Sequence, residues 1–145
     1  TFCFLFSVAS GFSADHEAHD RGAPHMKGRG PFSADYPLKP HTIDVGGAAI
    51  HYIDEPRDGE LTFVLMHGNS TWSYIYRNIV PHSLPKGRCI GPDLIGHGKS
   101  DKLDINYRYV TQYKYVERFL GELGLTNIVF VLHNWGGGLG LNYAM

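Results

Sequence analysis

Two stretches of the chain, Leu61 to Met66 (LTFVLM) and Asn127 to Leu132 (NIVFVL), are apolar at nearly every position. Runs of that length with no polar face predict strands buried on both sides of a parallel sheet. A third short run, Arg88 to Asp93 (RCIGPD), predicts a strand that empties into the turn-rich loop LIGHGKSD. Upstream, TIDV and AAIHYID flank Gly46-Gly47, which predicts a hairpin beginning at His41. The period then changes. Tyr109, Tyr113, Val116, Leu120 and Leu123 recur at steps of four and three, with Lys114, Glu117, Arg118 and Glu122 elsewhere on the wheel, so a helix is expected there with Gly124 as its stop. After His67-Gly68-Asn69, the hydroxyls of Ser70 and Thr71 are expected to cap a helix through Trp72, Ile75, Tyr76 and Ile79, which Pro81 helps to end. The resulting order is strand, strand, strand, helix, strand, helix, strand, helix. It predicts an α/β fold: a mostly parallel sheet with an antiparallel hairpin at its start and helices on both faces.

Composition bounds this picture. The chain has 145 residues, 43% of them apolar, which suits one domain with a real core. Thirteen basic and fourteen acidic residues give a formal charge of -1 with no basic stripe, so nucleic acid is not an expected partner. The uncharged run Thr1 to Ala9 (TFCFLFSVA) is too short to span a bilayer. It reads as the apolar region of a signal peptide covering 1–14, with cleavage after Ser10 or Ala14, and predicts an exported protein without stable membrane insertion. The alternative is a buried first strand. Residues 15–40 are polar and rich in Gly and Pro, and read as a linker, leaving 41–145 as the folded core. Cys3 and Cys89 lack the pairing of metal or redox motifs, and the nine histidines are scattered, so no metal is expected.

Ligands of open α/β sheets gather beyond the carboxyl ends of the strands. Two loops leave such ends here, His67-Gly68-Asn69 and His133-Asn134-Trp135. The second has the pattern of a nucleophile elbow centred on Asn134, with Gly136 and Gly137 as the small positions after it. The backbone N–H of Trp135, at a helix start, and that of Asn69, from the neighbouring loop, are expected to converge as an oxyanion hole. A glycine-rich turn that merely packs tightly, or a phosphate cradle, would show the same glycines.

The stretches HGNSTWSYIYRNIVPH, GPDLIGHGKSDK and VLHNWGGGLGLNYA resemble those of haloalkane dehalogenases and the related coelenterazine luciferases, both α/β-hydrolases. The resemblance runs from about His41 onward. It implies the amino-terminal part of that fold, with the catalytic histidine, second acid and helical cap lying beyond Met145. In that family an elbow aspartate attacks carbon and expels halide, and a histidine-activated water then hydrolyses the ester, with no cofactor. The resemblance gives Asn134 the nucleophile position and makes Asn69 and Trp135 the halide holders, with a small halogenated or similar apolar molecule as substrate. Ser70 departs from the usual proline after HGN. Asn134 departs from aspartate, and a neutral amide is a poor nucleophile, so the chain as written is expected to be inactive. An altered sequence, a binding-only relative and a precursor that deamidates all remain open. His67 and His133 belong to the motifs, and the other histidines read as linker, hairpin or outer segments. An epoxide hydrolase is the alternative enzyme, disfavoured by Asn69 and Ser70, and a luciferase-like or ligand-binding protein is the alternative of another class.

Overall fold

The computed structural model describes residues 6–7 and 36–145. The leader expected at 1–14, apart from two residues, and most of the linker expected at 15–40 lie outside the described residues. Five strands form the sheet proper: β2 (Pro40–Asp44), β3 (Ala49–Glu55), β4 (Thr62–Met66), β5 (Arg88–Pro92) and β6 (Ile128–Leu132). Before them comes a two-residue β1, Phe6–Ser7, paired parallel to Val131 and Leu132 on the outer side of β6. The order across the sheet is β1-β6-β4-β5-β3-β2. The hairpin β2–β3 is antiparallel, β3 joins β5 antiparallel, and β4 runs parallel to both neighbours. A mixed sheet with its hairpin at the start is therefore what the periodicity foretold. Among the described residues no helix is long and apolar enough to cross a membrane.

Alternation along the strands divides the core into two layers. Val64 and Met66 of β4, Ile90 of β5 and Phe130 of β6 face one side, where they pack with Val116, Phe119, Leu120 and Leu139. Those partners come from helices α2 (Tyr109–Glu122) and α3 (Trp135–Ala144). Leu65, Cys89 and Ile53 face the other side and pack with Tyr76, Val80 and Leu38. Tyr36 and Leu38, from the end of the expected linker, thus lie against the fold.

Three expectations need correction. No continuous helix follows His67-Gly68-Asn69: a 3-10 turn, Ser73–Tyr76, is followed by a single α turn, α1 (Val80–Ser83). The 3-10 turn starts after Trp72 with no side-chain cap bond, Ser70 takes φ 62°, and Pro81 sits at the start of α1 rather than at a helix end. The run Asn127 to Leu132 is not doubly buried, since in β6 only Phe130 is fully covered. Its outer side is paired only at Val131 and Leu132, by the two-residue β1. Finally, Gly137 is not a tight position, because a Cβ built there meets nothing within 4 Å.

Candidate functional site

β4 and β6 are in register from Thr62↔Ile128 to Met66↔Leu132, so both strands end side by side. The pairing continues one step further, as His133 N–H donates to Met66 O at 3.0 Å. Beneath it the buried Tyr76 hydroxyl donates to Met66 O at 2.7 Å and approaches Val131 O at 3.3 Å, tying the two strand ends together. The two loops that sequence singled out are therefore brought to one place.

Asn134 stands between β6 and α3 with φ 53° and ψ -120°, a conformation that costs a non-glycine residue on the order of 1–3 kcal/mol. Its side chain points to the neighbouring loop, where Asn69 N–H donates to Asn134 Oδ1 at 3.2 Å. The approach depends on two glycines. A Cβ at Gly68 would lie 2.8 Å from Asn134 Oδ1 and 2.9 Å from its Cγ, and a Cβ at Gly136 would lie 2.8 Å from His67 O and strike Met66 O. Trp135 opens α3, so its N–H has no acceptor within the helix. Its indole ring meets the edge of Tyr109 at 6.3 Å between centroids.

His67 fixes the Gly68–Asn69 loop from below. It is fully buried, its Nδ1–H donates to Gly68 O at 2.7 Å, and its Nε2 accepts Leu94 N–H at 2.8 Å. Burial lowers its pKa to about 4, outweighing the bond to Gly68 O and the nearby Asp93 charge, which act the other way. The loop after β5 is held by Asp93, which accepts Ser73 N–H and Lys99 N–H at 2.8 Å each and pairs with His51 Nδ1 at 2.8 Å. Burial alone would raise the Asp93 pKa, but the bonds from His51, Lys99 and Ser73 outweigh it and hold the carboxyl below its ordinary value.

One residue of this loop was missed by the sequence reading. His97, placed there among outer segments, lies against the site: its ring is 5.5 Å from that of His67, and its Nε2 is 3.2 Å from Asn69 Oδ1. The same Oδ1 accepts Ser70 N–H at 3.0 Å. The available signal was position alone, since the GHG turn leaves the carboxyl end of the strand next to β4. Among the described residues no group of three or more His, Cys, Asp or Glu is arranged to hold a metal ion.

The arrangement presents an amide oxygen to a backbone donor at a strained turn, with the open N–H of a helix start beside it. Such a turn suits either attack by residue 134 or retention of an acidic or polar ligand. Known proteins share the fold. The family described as alpha/beta hydrolase fold matches residues 62–145. A haloalkane dehalogenase of Mesorhizobium japonicum is 40% identical over 102 residues, covering 70% of this chain and 33% of that protein. Coelenterazine h 2-monooxygenase of Renilla reniformis is 42% identical over 104 residues, with the same coverage of 70% and 33%. A loop variant of the haloalkane dehalogenase of Bradyrhizobium elkanii superposes with a TM-score of 0.71 at 39% identity, covering 74% of this chain and 35% of that one. The chain thus spans about a third of the length of these relatives. It belongs to the α/β-hydrolase fold family and is similar, within it, to haloalkane dehalogenases.

Proposed function

We propose that the protein carrying this chain is built to hydrolyse carbon–halogen bonds of small haloalkanes, with residue 134 at the nucleophile position. The observation that carries the reading is the strained turn at Asn134, whose Oδ1 receives the Asn69 N–H. With aspartate there, one carboxylate oxygen is steadied by that donor while the other attacks carbon, and the carbon–halogen bond breaks as the ester forms. The leaving halide is received by the Asn69 side-chain amide and the Trp135 indole N–H, two donors of suitable chemistry. Water then cleaves the ester, and this needs a general base. Among the described residues no imidazole is bonded to Asn134. As it stands, with a neutral amide at 134, the chain does not turn over.

Halide release tests this directly. The intact protein should release none with Asn134 and should release halide steadily as Asn134→Asp, with intact mass used to exclude deamidation of the asparagine form. An aspartate form that hydrolyses epoxides but no haloalkane contradicts the reading. A second reading, a luciferase-like or binding-only protein, is favoured by the amide itself, which can hold a ligand without attacking it. It predicts that the Asn134 form binds a small apolar molecule as tightly as the aspartate form.

A further inference from the structure

We propose that His97 is a positioning residue: by donating its Nε2–H to Asn69 Oδ1 it fixes which end of the Asn69 amide faces the site. The proposal rests on the leaving-group role given above to that amide, and it concerns a residue that the reading does not use. An amide has a donor end and an acceptor end, and only the NH2 end stabilises a departing anion. Orientation therefore decides whether Asn69 helps or opposes the reaction.

Two contacts set the orientation. Ser70 N–H lies 3.0 Å from Asn69 Oδ1, and a flipped amide would bring two donors together there. His97 Nε2 lies 3.2 Å from the same oxygen, so with a proton on Nε2 the ring adds a second donor. With its oxygen held twice, the amide leaves both protons of Nδ2 free. The imidazole is itself kept in place by its neighbours. Its ring packs at 56° against His67, whose Nδ1–H holds the Gly68 carbonyl beside Asn69; a neutral ring that donates from Nε2 has no proton on Nδ1, so Ile95 O at 3.2 Å is a contact and not a second bond. Ser70 alone is a weak guarantor, because Asn69 and Ser70 are exposed and a single neutral bond there competes with water. The second donor comes across from the neighbouring strand end, from a loop braced by Asp93.

Nitrogen-labelled intact protein tests the assignment through the Asn69 side-chain NH2 signals, first without halide and then with bromide. Two variants separate the ring from its donor. His97→Phe keeps a ring against His67 but has no donor, whereas His97→Gln keeps an N–H donor without the ring. Without halide, His97→Phe should move the Asn69 NH2 pair and speed its rotation, and His97→Gln should restore the original signals. Bromide affinity read at Asn69 should weaken roughly threefold to tenfold in His97→Phe and recover in His97→Gln. Unchanged Asn69 signals in folded His97→Phe overturn the proposal, as does a glutamine form that behaves like the phenylalanine form. If bromide moves neither Asn69 nor Trp135 in the unaltered protein, the leaving-group reading fails instead, and the spectra without halide still decide whether His97 orients the amide.

Discussion

Lowering the pH should destabilise the fold through His67. In the folded protein this imidazole must stay neutral, because its Nε2 accepts the Leu94 N–H and its Nδ1–H donates to Gly68 O. A second proton would break the Leu94 bond and place a charge in a fully buried site. The pKa falls from the ordinary 6.5 to about 4, with burial as the first cause. A histidine whose folded value is depressed binds more protons when unfolded, so stability rises with pH through this window. The contribution is intact above the unfolded pKa and is lost progressively as pH falls from 6.5 toward 4. The whole loss is about 3 kcal/mol, of which about 2 kcal/mol has gone by about pH 5. Urea unfolding of the intact protein across that range measures it, with His67→Asn as the comparison. The difference in slope between the two proteins isolates His67 from the other histidines. Should the variant fold too weakly, the ring proton signal of His67 reads its titration directly. An equal slope in both proteins, or a His67 that titrates near its ordinary value, would refute the reasoning.

Gly68→Ala should dislodge the Asn134 side chain and cost about 1–3 kcal/mol, because the added methyl meets Asn134 Oδ1 at 2.8 Å, whereas Gly137→Ala meets nothing and should stabilise α3 by up to about 1 kcal/mol. Thermal melting of the two variants checks both signs. In the Asn134→Asp protein, Trp135→Phe removes one donor from the departing halide and should slow halide release roughly tenfold to a hundredfold, the equivalent of ~1.5–3 kcal/mol. Burial pushes the Cys89 thiol up to about 12, so this side chain should resist alkylation in the folded protein and react only on unfolding, as mass spectrometry of the labelled peptide will show.

The sheet was legible because its strands announce themselves in single stretches. LTFVLM and the strand after Asn127 needed no partner to be recognised, and the Gly46-Gly47 turn fixed the hairpin. The segment after Asn69 was not, because Ser70 and Thr71 have the residue types of a helix cap while Ser70 takes φ 62° and the 3-10 turn begins uncapped after Trp72. The burial of β6 was overstated for a similar reason. An apolar run records what a strand can bury, whereas its place in the sheet, here beside a two-residue β1, is set by pairing. For the site, Asn69, Asn134 and Trp135 stand out in two local motifs, and register brings those motifs together. His97 did not stand out, since its tie to Asn69 crosses 28 positions and exists only because β5 lies beside β4.

The central claim is that residue 134 is the atom-bearing nucleophile of a carbon–halogen cleavage. Its most direct test is a rapid-quench single turnover of the intact Asn134→Asp protein with a bromoalkane, followed by mass mapping of the peptide that contains residues 133–138. The account predicts a transient gain of one alkyl group on residue 134, formed together with bromide release and lost as the ester hydrolyses. Bromide release with that peptide unmodified at every quench time, or an alkyl group found on another residue, would contradict it.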